Sequence, residues 1–288
     1  VGGHVGFLDQ KTGAVQWLPR GAAMVMTPDG DLWGTSRTSD DKQVLSRFDP
    51  KSYEITNYSV ANGGGITRIV NGPNGCLWYL DQAGSLGTYC PNNGYNAEYP
   101  LQVLKYPESL YAGTDGNLWV SNAEQMVKFN TSGQAVGVFP LIWPQIQDWA
   151  QAPDGSAWTV ANSDDAQYPM SLVRLAASST TCLNFYKCGT TFPTPKLSNA
   201  FDGIFDSHGN LWYRAQNGGD NVIIRFNPTT QVSTQYEAPY RSAAPITVGT
   251  DGQIWSGGAY NDNRLLAVST GSGPAEAPPS LGASVYVG

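Results

Sequence analysis

The stretch Asp115-Gly116-Asn117-Leu118-Trp119 decides the fold, because variants of it occur six times along the chain. In each copy a Gly follows Asp, Asn or His, and a Trp stands three residues after that Gly. An Asp-Gly or Asn-Gly pair favours positive φ and a tight hairpin turn. Six of the nine tryptophans occupy this position, so the chain contains an internal repeat. The other copies are Asp29–Trp33, Asn74–Trp78, Asp154–Trp158, His208–Trp212 and Asp251–Trp255.

The residues on either side of the turn predict a pair of antiparallel strands. Ser109–Gly113 precedes the turn, and Asn117–Ser121 follows it. Neighbouring residues on a strand point to opposite faces of the sheet. The Leu118-Trp119 pair therefore places a large apolar side chain on both faces. We expect each such sheet to be covered on both sides by other sheets.

Two further strand patterns follow each hairpin before the next copy begins. After the first hairpin these are Val44–Asp49 and Glu54–Tyr58. Successive repeat tryptophans are 45, 41, 39, 54 and 43 residues apart. A four-stranded unit of about 40 to 50 residues is typical of a β-propeller blade. The sequence predicts an all-β protein in which residues 1–288 form a single β-propeller domain of four-stranded blades.

The two ends of the chain determine the predicted number of blades. His4–Asp9 and Ala14–Leu18 resemble the third and fourth strands of a blade, whereas Gly282–Val287 resembles a first strand. Joining them gives one blade assembled from both termini, which closes the ring. This interpretation favours seven blades, and six blades is the alternative.

Composition excludes several classes of partner. The formal charge is −7, which disfavours nucleic acid and anionic membranes, since both call for a basic surface. No apolar run approaches the roughly 20 residues of a membrane span, so no membrane insertion is expected. The chain opens Val1-Gly2-Gly3-His4 without a visible signal peptide, which fits a mature or excised chain.

The four cysteines fall into two local pairs. Cys76 and Cys90 are placed to bridge one hairpin, and Cys182 and Cys188 flank a short loop. Two local disulfides favour an exported protein, extracellular or periplasmic. Buried free thiols and a metal site are the alternatives. The metal alternative is disfavoured, because there is no Cys-x-x-Cys pair and the chain has only two histidines.

The repeat resembles that of the streptogramin B lyase (virginiamycin B lyase-like) family of β-propellers. That family repeats a Pro-Asp-Gly-x-Leu-Trp hairpin, an Ile-Gly-Arg-Ile strand and a Gly-x-Ile-x-Glu-Phe strand. The resemblance covers nearly the whole chain and rests on core and turn residues, so it is specific for fold rather than activity. The matching stretches here are Thr27–Trp33, Ala152–Gly155, Leu45–Pro50, Ile223–Pro228, Glu54–Tyr58 and Phe139–Leu141.

The resemblance implies a lyase that uses Mg²⁺ and a His base, but the residues that it requires are missing. The family site resembles Glu-Pro-His-Gly at the mouth end of one first strand, with a Glu beyond the following Trp. The sixth repeat has Ser242–Pro245 at the first position and Gly258 or Ala259 at the second. His4 lies near the start and His208 in a turn, so neither supplies the base. Streptogramin lyase activity is not expected, and the chain is not assigned as an enzyme.

A ligand site is predicted at the channel mouth, where first strands begin and second strands end. Aromatic members of the predicted set could stack on a sugar or planar ring. Its carboxylates could accept hydrogen bonds or hold Mg²⁺ or Ca²⁺. The alternative is that these are polar residues of a hydrated channel. The predicted ligand-binding residues are Arg68, Glu108, Tyr111, Gln147, Asp148, Trp149, Asp202, Tyr213 and Arg214.

Three functions fit these patterns. The favoured one is an exported recognition propeller that binds a glycan, a small molecule or a protein at the mouth or loops. Loops longer than the blade requires, at Ser163–Met170 and Ala176–Pro195, are further candidate binding elements. The second function is a diverged lyase or hydrolase of the same family. The third is a structural module of a larger surface assembly.

Overall fold

The chain divides into two compact units, which we describe separately. Unit 1 comprises Val1–Leu141 and Thr180–Leu183, and unit 2 comprises Ile142–Ser179 and Asn184–Gly288. The computed structural model describes residues 5–8, 15–18, 24–40, 42–49, 52, 54–61, 65–141, 145–162, 171–182, 185–197, 199–217, 220–237, 246–249, 252–257, 264–269 and 285–286.

The described part of unit 1 contains a two-stranded sheet and three four-stranded antiparallel sheets, which we name blades 1 to 3. The two-stranded sheet is β1 (Val5–Leu8) and β2 (Val15–Leu18). Blade 1 is β3 (Met24–Met26), β4 (Leu32–Arg37), β5 (Gln43–Phe48) and β6 (Ile55–Ser59). Blade 2 is β7 (Ile66–Asn71), β8 (Leu77–Asp81), β9 (Ser85–Cys90) and β10 (Tyr95–Pro100). Blade 3 is β11 (Ser109–Ala112), β12 (Leu118–Ser121), β13 (Gln125–Phe129) and β14 (Ala135–Pro140).

The described part of unit 2 contains three more four-stranded antiparallel sheets, blades 4 to 6. Its single short helix, α1 (Phe185–Cys188), precedes the last strand of blade 4. Blade 4 is β15 (Gln145–Gln151), β16 (Ala157–Asn162), β17 (Ser171–Leu175) and β18 (Thr190–Pro193). Blade 5 is β19 (Asn199–Phe205), β20 (Leu211–Asn217), β21 (Asp220–Asn227) and β22 (Val232–Glu237). Blade 6 is β23 (Ile246–Val248), β24 (Ile254–Gly257), β25 (Arg264–Val268) and β26 (Val285–Tyr286).

The repeated motif forms the predicted hairpin between the first two strands of each blade. The Gly of all six copies has positive φ, between 74° and 91°, a region in which side chains are strained. In the third copy Gly116 N donates to Gly113 O over 3.1 Å, and Gly113 N donates to Asn117 O over 2.5 Å. The same two bonds recur in the other five copies. The local sequence therefore fixes six identical turns.

The repeat tryptophans fill the gaps between neighbouring blades of the same unit. In unit 1, Trp33 of blade 1 shares a buried cluster with Leu77 and Tyr79 of blade 2. In unit 2, Trp212 of blade 5 clusters with Ile246 and Ile254 of blade 6. Both faces of these strands are thus covered, as the Leu-Trp pattern predicts.

The described strands pair into six four-stranded blades, which was the alternative to the favoured seven. The C-terminal strand β26 pairs with β25, with Val285 opposite Leu265, so it is the fourth strand of blade 6. Strands β1 and β2 pair with each other in a sheet of their own. The prediction that both termini share one blade is therefore wrong for the described strands.

Both predicted disulfide pairs are confirmed. Cys76 is bonded to Cys90, and Cys182 and Cys188 are also disulfide-bonded. Residues 180–182, which end at Cys182, lie along the outer strand of blade 3. Cys182 N donates to Val138 O over 3.1 Å, and Val138 N donates to Thr181 Oγ1 over 3.3 Å. We call residues 180–182 the strap, because they cover part of the free edge of β14.

No helix among the described residues is long and apolar enough to cross a bilayer.

Candidate functional site

Three first strands carry an irregularity at the predicted mouth position. The register between first and second strands shifts between Ile66 and Arg68 in blade 2, and between Ile146 and Trp149 in blade 4. In blade 5 it shifts between Phe201 and Gly203. Bulges of this kind re-aim side chains and are common beside functional sites. In blade 5 the bulge brings together two predicted site residues, Asp202 and Arg214.

The bulge of blade 5 turns Asp202 towards Arg214 of the neighbouring strand. Asp202 has φ +43°, in the left-handed region that few non-Gly residues adopt. Arg214 Nε donates to Asp202 Oδ2 over 2.5 Å, and Arg214 Nη2 contacts the same oxygen. Both side chains are mostly buried, at 13% exposed for Arg214 and 19% for Asp202. The two charges thus compensate each other within the blade.

Tyr213 lies next to this pair and is fully buried. Its hydroxyl has no hydrogen-bond partner among the described residues. A buried hydroxyl without a partner costs about 1–3 kcal/mol. Burial also raises the pKa of the phenol, so the hydroxyl stays neutral and keeps its proton for donation.

A narrow cleft lies beside Tyr213, between blades 4 and 5 of unit 2, with room for about one water molecule. Tyr213, Asp202 and Gly203 line it from blade 5. Ala150 and Thr159 line it from blade 4. The cleft is therefore polar at a few points and otherwise walled by core side chains.

Two of the aromatic candidates do not present a ring to solvent. Trp149 is 2% exposed and Tyr213 is 0% exposed, so neither offers a free face for stacking on a sugar. That predicted role is wrong for both. Tyr111 is half-buried, opposite Trp119 of the next strand.

The remaining candidates are on other blades or outside the description. Arg68 is exposed on blade 2, and its guanidinium donates to Thr67 O over 3.1 Å. Glu108 is exposed just before blade 3, where its backbone N donates to Ser121 O over 2.8 Å. The side chains of Gln147 and Asp148 lie outside the described residues, as do His4, 163–170, 242–245 and 258–259. No group of three or more His, Cys, Asp or Glu in the described ranges could hold a metal ion.

One candidate was missed by the sequence patterns. Tyr106 lies in the segment 101–108 between blades 2 and 3, which we call the Tyr106 loop. Its side chain is 86% exposed, and its φ is +52°. The residue before a proline normally takes an extended conformation, so Tyr106 before Pro107 is unusual on two counts. A φ value cannot be read from Lys105-Tyr106-Pro107, whereas the exposed apolar pair Val103 and Tyr106 could have been noted.

Six four-stranded antiparallel sheets, each with the same inner hairpin, define the protein as a β-propeller. Among solved structures the chain is similar to virginiamycin B lyase from Staphylococcus aureus, at 16% identity over 87% of this chain and 81% of that one, with TM-score 0.67. The expected streptogramin B lyase-like fold is confirmed. At such identities the likeness is one of fold.

Two other solved structures show how varied this fold is in use. A candidate 6-phosphogluconolactonase from Bacteroides uniformis is 15% identical over 99% of this chain and 92% of that one, with TM-score 0.64. YCF48 bound to D1 peptide is 15% identical over 85% of this chain and 77% of that one, with TM-score 0.57. No protein-family model matches the sequence, and no curated protein matches it.

Proposed function

We propose that this protein is an exported recognition propeller that binds a protein partner through the Tyr106 loop. The observation that carries the proposal is the presentation of Tyr106, an almost fully exposed aromatic side chain on a left-handed residue. Exposed tyrosines of this kind are enriched at the energetic centres of protein interfaces.

The residues that precede Tyr106 in the loop hold its backbone in place. Leu101 and Leu104 are buried, at 6% and 1% exposed, and anchor the loop in the core of blades 2 and 3. Asn122 Nδ2 donates to Lys105 O over 2.6 Å, and Gln125 Nε2 donates to Val103 O. A side chain on a backbone held in this way loses little conformational freedom on binding, which favours affinity.

The surroundings of Tyr106 have the composition of an interface with a polar rim. Val103, 47% exposed, adds apolar area. Lys105, Glu108 and Glu124 are exposed and carry charges of both signs. This mixture suits a partner surface with an apolar pocket for the phenol ring and a mixed-charge border.

The backbone conformation of Tyr106 supports a role beyond stability. A non-Gly residue with left-handed φ costs on the order of 1–3 kcal/mol. An exposed side chain returns little of that cost through packing. A binding role for the Tyr106 side chain at this position would explain the strained backbone.

Two more observations support the wider proposal. The structurally similar YCF48 is bound to a peptide, which is a precedent for a partner on this fold. Two disulfides, Cys76–Cys90 and the one formed by Cys182 and Cys188, are the pattern of an oxidising compartment, which supports export.

The proposal is tested by selecting a phage-displayed library of random peptides on the wild-type protein. The affinity of the enriched peptides is then measured for Tyr106→Ala. We expect a loss of about thirtyfold, corresponding to a hot spot of about 2 kcal/mol. Tyr95→Ala is the matched control, because Tyr95 is 51% exposed on the outer strand of blade 2. Its replacement should leave peptide binding unchanged.

Three results would overturn the proposal. The first is that no peptide is enriched, and the second is that the enriched peptides bind Tyr106→Ala as tightly as wild type. The third is that a glycan array gives binding that Tyr106→Ala removes, which would make the partner a carbohydrate. Tyr106→Gly serves as a fold check, since relief of left-handed strain should keep or raise the free energy of unfolding while binding is lost.

A further inference from the structure

We infer that a groove on blade 1 binds a small phenol, a molecule with one aromatic ring and a hydroxyl group. The groove has a volume of about 190 Å³ and is lined by residues of all four strands of the blade, among them Met24, Gly34, Ser46 and Asn57. A cavity of about 150 Å³ is enough to hold benzene. The groove therefore has room for one substituted ring, and it does not involve the Tyr106 loop.

The groove lies where one copy of the repeat lacks a side chain that two other copies have. The residue after the hairpin tryptophan is Tyr79 in blade 2 and Tyr213 in blade 5, but Gly34 in blade 1. Gly34 is opposite Ser46 on the third strand, just as Tyr79 is opposite Gly87. Gly34 does not have positive φ, so the backbone conformation does not require glycine there. The groove thus corresponds to the space that a tyrosine ring occupies in blade 2.

The polar end of the groove suits the hydroxyl of a phenol. In blade 2, Tyr79 Oη reaches the fourth strand and donates to Glu98 Oε1 over 3.3 Å. Asn57 holds the position of Glu98 in blade 1, because it is opposite Ser46 on the fourth strand. Asn57 Oδ1 accepts from Ser46 Oγ over 2.7 Å, which leaves the two Nδ2 hydrogens to donate to a phenol oxygen.

The other walls of the groove suit a neutral aromatic ring. Leu32 and Phe48 are opposite each other on the two middle strands and line the groove. Met24 and Ile55 also line it and are 41% and 42% exposed, so a ring can enter between them from solvent. Methionine sulfur makes favourable contacts with aromatic rings. No Asp or Glu is among the described lining residues, so an aromatic amine cation would find no compensating charge.

The test follows phenol and p-cresol by saturation-transfer NMR on the wild-type protein, with benzylamine as a cationic ring of similar size. We expect both phenols to receive saturation and benzylamine to receive none. Gly34→Tyr should abolish the signal, because its own ring would fill the groove as Tyr79 does in blade 2.

A second variant examines the polar end of the groove. Asn57→Ala should weaken binding about fivefold, the usual effect of one hydrogen bond. Thr56→Ala is the matched control, because Thr56 is the exposed neighbour of Asn57 on the same strand and points to the opposite face. Its phenol affinity should equal that of the wild-type protein. Urea unfolding shows that each variant is folded before binding is measured.

Four results would overturn the inference. The first is that neither phenol receives saturation, and the second is that folded Gly34→Tyr and Asn57→Ala both bind the phenols as tightly as wild type. The third is that benzylamine binds as well as phenol. The fourth is that only peptides containing tyrosine bind at Gly34, which would make the occupant part of a protein partner. Tyr106→Ala should bind phenols normally, so this result is separate from the test of the Tyr106 loop.

Discussion

Tyr79 and Tyr213 occupy the same place in two copies of the repeat, directly after the hairpin tryptophan, yet only one of them is satisfied. Both are buried, at 1% and 0% exposed. Tyr79 donates to Glu98 Oε1, whereas Tyr213 Oη has no partner among the described residues and lies beside the cleft. The repeat therefore places the same side chain in two different chemical settings.

The neighbours across the sheet explain the difference. In blade 2, Tyr79 is opposite Gly87 on the third strand, and Gly87 is opposite Glu98 on the fourth. The tyrosine ring lies over Gly87, where a Cβ would be 2.1 Å from ring atoms, and so reaches Glu98.

In blade 5 the corresponding residues do not allow the tyrosine to reach the fourth strand. Ile224 is opposite Tyr213 and is 0% exposed, and Gln235 takes the position of Glu98. The glycine is on the other side of Tyr213, at Gly203 on the first strand. Because the glycine is on the inner rather than the outer neighbouring strand, Tyr213 lacks the carboxylate partner that Tyr79 reaches.

The largest effect is expected from Gly87→Ala. Gly87 has no positive φ, so alanine adds no backbone strain and the whole effect comes from collision with the Tyr79 ring. We expect a loss of roughly 3 kcal/mol in the free energy of unfolding, at the upper end for an overpacked core. Urea-induced unfolding measures it. In a Tyr79→Ala background the same change should cost far less, and an equal cost in both backgrounds would contradict the packing explanation.

Alkaline pH should act on both tyrosines. Burial raises the pKa of Tyr79 and of Tyr213, and Glu98 raises that of Tyr79 further. The stability that each contributes is complete below pH about 10, the unfolded value, and falls by about 1.4 kcal/mol per pH unit above it. Above pH about 10, the urea midpoint should fall less steeply with pH in the double variant Tyr79→Phe, Tyr213→Phe than in the wild-type protein. An unchanged slope in that double variant would be inconsistent with the assignment.

Tyr79→Phe alone, at neutral pH, should have a smaller effect. It removes the hydrogen bond to Glu98 while the ring stays over Gly87. We expect a loss of about 1 kcal/mol, the usual net value of one such bond. Thermal and urea unfolding measure this change in the free energy of unfolding. No change would mean that hydrogen bonds from water to Glu98 are as favourable as the one from the phenol.

Tyr213→Phe should have the smallest effect on the free protein. No protein hydrogen bond is lost, because the hydroxyl has no partner in the described residues. We expect a gain of up to about 1 kcal/mol in the free energy of unfolding, at the low end of the cost of a buried hydroxyl without a partner. A destabilisation as large as that of Tyr79→Phe would show that the two tyrosines are equally satisfied and would remove the contrast.

Local features of the fold were predictable from the sequence. The hairpin at Asp115–Trp119 and its five relatives depend on residues within one turn, so the sequence of each copy is enough to predict the geometry of its turn. The Leu-Trp alternation gives the two buried faces directly. The disulfide pairs are also local, since Cys76 and Cys90 are 14 residues apart.

Features that depend on pairing across the chain were not predictable. The blade count was misjudged because β26 has the pattern of any short strand, and only its pairing with β25 places it in blade 6. The exposure of Trp149 was misjudged because a register shift precedes it on its own strand. The exposure of Tyr213 was misjudged because the first strand, which faces it, also has a register shift. Asp202 and Arg214 were both selected as site residues, but their pairing depends on the left-handed φ of Asp202.

The strap has a consequence for how the chain is made. Val138 and Thr181 are 43 residues apart, so the outer edge of blade 3 stays uncovered until β15 to β17 have been synthesised. During that interval β14 presents free backbone groups, which are a template for pairing with another chain. A nascent protein halted near Leu141 would therefore be prone to self-association.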